Sequence, residues 1–161
     1  MRRPASGLAA GILSILMAAT LAAQDERFTM RVMGPETELS TGSEFDSAVL
    51  LSAEVGMIQG FSFAVGNDPT ELELLGAEIG AVTAAIRDGD GPEFLVINTE
   101  PVGGSGVTMA AVFSFVSPVF LDAAEDMELL TMRYRVTAEP TAVEPCEPIV
   151  ATASFSDSLG D

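Results

Sequence analysis

The sequence predicts an all-β fold, an antiparallel β-sandwich of jelly-roll type. Three observations predict it. Short runs alternate between apolar and polar residues with period two. Clusters of Gly, Pro, Asn and Asp separate these runs at the spacing of sandwich turns. Beyond residue 23, only one stretch is rich enough in alanine to compete as a helix.

In chain order, residues 27–33 alternate, with Phe28, Met30 and Val32 on one face and Arg27, Thr29 and Arg31 on the other. A Gly34-Pro35 break and the polar loop Ser40-Thr41-Gly42-Ser43 follow. Val49, Leu51, Ala53 and Val55 form the next inward set, and Gly56 leads into a strand with Phe61, Phe63 and Val65 on one side and Ser62 and Ala64 on the other. That strand runs into Asn67-Asp68-Pro69, a turn with a mechanism: Asn and Asp side chains cap their own backbone, and Pro69 fixes φ for the bend. A short strand then places Leu72 and Leu74 inward and Glu71 and Glu73 outward. Residues 76–87 read as a strand or loop crossing, because Gly76 and Gly80 interrupt the alanine-rich run. The turn Asp88-Gly89-Asp90-Gly91-Pro92 precedes a strand over 93–98. Residues 106–115 put Val107, Met109, Ala111, Phe113 and Phe115 on one face. Residues 122–127 offer a helical turn. Residues 128–137 carry Leu130, Met132, Tyr134 and Val136 inward against Arg133 and Arg135 outward. A Pro-rich loop over 139–148 leads to a last strand over 149–155.

Residues 1–23 are expected to be a signal peptide: Arg2 and Arg3 form a positive start, residues 8–21 an apolar stretch, and Ala22 and Ala23 a small-residue cleavage site. Residues 24–161 then form one domain, exported to the cell envelope or beyond, with no stable membrane span once the leader is cleaved. The whole chain carries a formal charge of −17, and removing Arg2 and Arg3 leaves −19. Such a field repels nucleic acid and anionic membranes, so neither is an expected partner. The chain has no His, no Lys and a single Cys146. Triad catalysis, imidazole metal sites, Schiff-base chemistry and intrachain disulfides are thereby excluded, which leaves carboxylates as the only catalytic resource.

Three constellations each have a functional and a plainer reading. Asp88 and Asp90 offer two carboxylates to calcium, yet they lack the further oxygen ligands and the distal Glu of a calcium loop, which favours a plain tight turn. Glu71 with Glu73, and Glu125 with Asp126 and Glu128, provide carboxylate pairs of glycosidase type but also read as solvated surface. Arg133 and Arg135 share a face, where they grip a partner's carboxylate or neutralise neighbouring acids.

The order of these features resembles that of cohesin-like domains. The signature is Gly60-Phe61-Ser62-Phe63, then Asn67-Asp68-Pro69, then Leu72 and Leu74 with Gly76 or Gly80 after them. Thr41-Gly42-Ser43 with residues 48–55, the strand over 107–115, and Met127-Glu128-Leu129-Leu130-Thr131-Met132-Arg133-Tyr134-Arg135-Val136 occupy the family's other places. The chain looks particularly like divergent cohesin-like domains of exported bacterial proteins with a Gln-Gly-Trp-Ser-Phe strand; Phe61 stands where those have Trp. The family places one more strand after a turn like Phe155-Ser156-Asp157-Ser158-Leu159-Gly160, whereas this chain stops at Asp161. The expectation is therefore a sandwich that is truncated or closes without its last strand. The resemblance implies a non-enzymatic adhesion or scaffold domain with an extracellular, dockerin-type protein partner lying across one sheet face, and no cofactor. The alternative is a carbohydrate-binding module that holds a polysaccharide; the lack of Trp and the inward Phe residues speak against a flat aromatic platform.

Overall fold

A computed structural model describes residues 27–37, 39–138 and, by backbone alone, 149–157. The expected signal peptide, the Pro-rich loop over 139–148 and Cys146 lie outside the described residues. Eight strands form two antiparallel sheets: β1 (Phe28–Met33), β2 (Glu44–Ala53), β3 (Ile58–Gly66), β4 (Leu72–Ile79), β5 (Phe94–Asn98), β6 (Gly106–Val112), β7 (Ala124–Val136) and β8 (Ile149–Asp157). One sheet has the order β1-β2-β7-β4 and the other β5-β6-β3-β8. β1–β2 and β5–β6 are hairpins within one sheet, and the other successive strands alternate between the two sheets, as in a jelly-roll.

Both inner faces follow the alternation. Val49, Leu51, Leu130, Met132, Tyr134 and Val136 from the first sheet meet Phe61, Phe63, Val65, Val107, Met109 and Ala111 from the second. Phe61 packs edge-on against Phe113, with centroids 5.8 Å apart. Tyr134 is fully buried, stacks on Phe45 and donates its hydroxyl to the Met132 sulfur at 3.4 Å. Burial pushes its pKa up to about 12. β-Bulges account for departures from strict alternation: a register shift between Val49 and Leu50 lets Leu50 and Leu129 be buried beside their neighbours.

The corner expected at Asn67 joins the two sheets. Asp68 accepts hydrogen bonds from the Thr70 amide (2.8 Å) and hydroxyl (2.7 Å), which hold its carboxyl below the usual range. The Asn67 amide nitrogen donates to the Leu72 carbonyl at 2.8 Å, so the turn is tied to the first residue of β4. Leu72 is buried, and Leu74 packs against the core.

The structure corrects four expectations. The strand reading of residues 76–87 holds only to Ile79; Ala81–Ala85 is a helix, α1, running into a 3₁₀ turn at Ile86–Gly89. Its anchor is Thr83, buried and donating to the Leu129 carbonyl at 2.8 Å, with Ile86 plugged into the core. Gly80 makes the switch possible, since a Cβ there would stand 2.5 Å from the Glu128 oxygen. Residues 122–127 form no helical turn: β7 starts at Ala124, and Asp126 takes a left-handed φ of 54° at the bulged end. Val55 falls outside β2, which instead begins earlier, at Glu44. Phe115 is not a core residue, because β6 stops at Val112 and the ring is 67% exposed.

Candidate functional site

The outer faces of the two sheets differ in chemistry. On the first, charged side chains form a ladder. Glu44 on β2, Arg135 on β7 and Glu73 on β4 occupy one row across three strands. Arg135 bonds Glu44 at 2.7 Å and Glu73 at 2.9 Å, and Arg133 bonds Glu44 at 3.0 Å. The hydrogen bond from Arg135, with the charges of both arginines, holds the Glu44 carboxyl below the usual carboxylate range. Farther along, Arg31 meets Asp126 at 2.7 Å. Arg133 and Arg135 are therefore engaged with acids of their own sheet, the plainer of their two readings.

On the second sheet, β3, β5 and β6 contain no charged residue at all. Their outward rows are Val96–Ala110–Ser62 and Asn98–Thr108–Ala64, continued in backbone register by Ser154 and Thr152 of β8. The small side chains leave a shallow depression of about 260 Å³ lined by Ser62, Ala64, Val96, Thr108 and Ala110. At one end stand Phe94 and Val96, 43% and 45% exposed. The next loop carries Phe115 and Val116 and is fastened there: the Phe115 amide donates to the Glu93 carboxylate at 2.7 Å, lowering that carboxyl's pKa. Alternation in the sequence marks these residues as outward, but it does not single this face out. What marks it is the lack of any charge in strands of so acidic a chain, visible only once strands are sorted into sheets.

The signature residues Gly60, Phe61, Phe63, Asn67, Asp68, Pro69, Leu72 and Leu74 build core and corner, and of them Phe63 alone also reaches the lining of the depression. Asp88 and Asp90 lie on the turn after α1, where Arg87, Asp88 and Gly89 are successively left-handed and the Gly91 amide donates to the Ile86 carbonyl. Among the described residues no group of three or more carboxylates is placed to hold a metal ion. The carboxylate pairs are also dispersed: Asp126 faces Arg31, while Glu128 accepts the Thr131 hydroxyl at 2.7 Å. Among the described residues every carboxyl with a resolved shift is lowered, the opposite of what a general acid needs. No described helix is long and apolar enough to cross a membrane.

No protein-family model matches the chain, and no curated protein matches it. Solved structures do. The sixth cohesin of scaffoldin B from Acetivibrio cellulolyticus, solved in complex with a Cel5 dockerin variant, is similar with a TM-score of 0.59 at 18% identity over 83% of this chain and 89% of that one. A non-cellulosomal cohesin from Archaeoglobus fulgidus gives 0.53 at 13% identity, covering 82% and 80%. CaCohA2 from Clostridium acetobutylicum gives 0.55 at 13%, covering 83% and 82%. The fold is cohesin-like, as the order of motifs implied.

Proposed function

We propose that this cohesin-like sandwich is a non-catalytic attachment module that receives a protein partner of dockerin type across the outer face of β3, β5, β6 and β8. One observation carries the reading: this is the face a partner can cover without stripping water from charge. Burying the ladder on the other sheet would desolvate Glu44, Glu73, Arg133 and Arg135, and such pairs seldom recover that cost. The face of β3, β5 and β6 offers methyl and hydroxyl groups around a depression, with Phe94 and Val96 as anchors. Similar cohesins from Acetivibrio cellulolyticus and Clostridium thermocellum have been solved with dockerins bound, which supports a partner of that kind. The leader-like residues 1–23 support work outside the cytoplasm.

A second reading has an observation of its own. Phe94 and Phe115 are exposed rings near one end of the same sheet, and sugar-binding modules stack such rings on saccharides. Both readings are tested by one experiment. The wild-type chain and Ala110→Arg are immobilised and exposed to the extracellular fraction of the source organism, with calcium and with chelator. Capture of a protein bearing a duplicated Asp-rich calcium loop, lost in Ala110→Arg and in chelator, supports the attachment module. Retention of polysaccharide with no protein moves the assignment to carbohydrate binding.

A further inference from the structure

The free edge of β5 differs from those of the other border strands. β1 carries Arg31, β4 carries Glu73 and Glu78, and the sequence of β8 ends in Asp157, devices that blunt an edge against strand pairing. β5, Phe94-Leu95-Val96-Ile97-Asn98, has no charge, no Pro and no bulge. Among the described residues it pairs with β6 alone, and no element lies beyond it.

Hydrogen-bond parity identifies the groups left over. The Phe113 amide donates to the Gln59 carbonyl and the Asn67 amide to the Ser105 carbonyl, so the odd-numbered residues of β6 turn their backbone towards β3. The even-numbered ones, Thr108, Ala110 and Val112, bond Asn98, Val96 and Phe94. Beyond the end of β6 the pattern relaxes, and the Phe113 carbonyl takes the Glu93 amide. Within β5 this leaves the N–H and C=O of Leu95 and Ile97 aimed away from the sheet. Their side chains face inward yet are only partly buried, because no described element flanks them.

We propose that this edge is a strand-addition site for an extended segment of another protein, apolar at alternate positions and cationic at its ends. The unspent backbone groups of Leu95 and Ile97 call for an extended backbone. The half-covered side chains of Leu95 and Ile97 call for apolar residues on the segment's inner side. Glu93 and Glu100 bracket the strand and call for Lys or Arg at both ends. A second copy is the wrong occupant: antiparallel self-pairing about Val96 puts the Glu93 of one copy opposite Thr99 and beside the Glu100 of the other, at both ends of the pair, between chains that each carry −17.

The test is amide exchange by NMR on the labelled chain, with and without the synthetic peptide Arg-Arg-Thr-Val-Thr-Val-Thr-Arg-Arg. In the free chain the Leu95 and Ile97 amides exchange fast and the Val96 amide slowly; with the peptide, the first two slow by about tenfold or more. Ile97→Pro removes a donor that β6 does not use, so the variant stays folded and binds the peptide about tenfold more weakly. Ala110→Arg, on the outer face, leaves peptide binding intact, which separates this site from the docking face. The proposal is overturned if Leu95 and Ile97 are already protected in the free chain at every concentration. It is equally overturned if their protection grows with protein concentration alone, if Ile97→Pro binds like wild type, or if a peptide with glutamates at its ends binds as well.

Discussion

Two rows of side chains hold equivalent places on opposite sides of the sandwich. Glu44, Arg135 and Glu73 cross one sheet, and Val96, Ala110 and Ser62 cross the other. Both rows sit on regular antiparallel strands over one shared core, so backbone geometry does not distinguish them. Their hydration does. The charged row is satisfied as it stands, by its own ion pairs and by water, and an incoming surface must pull that water away. The uncharged row has little to lose on being covered. In a chain of formal charge −17, three strands with no charge at all concentrate the acidic residues elsewhere and leave one face able to accept a neighbour.

The sharpest way to break this contrast is to move a charge across it. Ala110→Arg places a guanidinium in the middle of the uncharged depression and should weaken partner binding by about a hundredfold or more, since the charge has no acceptor when covered. Glu78→Arg makes a larger charge change on the opposite sheet and should leave affinity within about twofold at physiological salt. Titration calorimetry with the captured partner decides between them. Equal losses in the two variants would mean that long-range charge, not the face, governs binding.

Beneath the rows, the cores of the two sheets also differ, because the first holds the chain's one tyrosine. Among the described residues the buried Tyr134 hydroxyl has only a sulfur as acceptor, and its pKa rises to about 12 against 10 for an ordinary tyrosine. A neutral acid whose folded pKa is raised contributes stability that is complete below the unfolded value and lost as pH climbs above it. Stability should therefore fall by about 2–3 kcal/mol between about pH 10 and 12 on this account. Tyr134→Phe should cost about 1 kcal/mol or less near neutrality and remove that alkaline loss. Denaturant melts along a pH series check this, and tyrosinate absorbance reports the one ring directly. A normal titration near pH 10 would show that the ring is not sealed between the sheets.

The corner that links the sheets is a smaller lever. Asn67→Ala removes the bond to the Leu72 carbonyl, and the expected loss is about 1–2 kcal/mol in chemical denaturation. The Asn67 carbonyl oxygen, buried with no partner among the described residues, moderates that loss, because its deletion is favourable.

The fold was largely legible because its signals are local. Alternation in residues 58–66 and 128–136, and the capping chemistry of Asn67-Asp68-Pro69, act within a few residues and survive any tertiary context. The misread segments are those where a distant partner decides. Ala81–Ala85 is a helix because Thr83 finds the Leu129 carbonyl and Gly80 passes under Glu128, neither of which is local in sequence. Phe115 alternates correctly but stands beyond the last residue that pairs. The candidate face was illegible for the same reason: lack of charge in β3, β5 and β6 becomes a property of one surface only when the sheet order brings these strands together.

The ladder itself should yield the smallest effect, and its pH dependence separates stability from binding. The Arg135 hydrogen bond, with the arginine charges, lowers the folded pKa of Glu44, so its contribution is present above the ordinary carboxylate value and lost as pH falls through the folded one. Thermal melts should show Glu44→Gln slightly below wild type near neutrality, and that gap should close on acidification as wild-type Glu44 takes up its proton. An acid limb remains in the variant, because the Thr70 hydroxyl and amide still lower Asp68 and the Phe115 amide still lowers Glu93. Partner affinity, measured at the same pH values on the opposite face, should not follow the gap. If it does, the two faces are coupled through the core, and the ladder helps to shape the surface that binds.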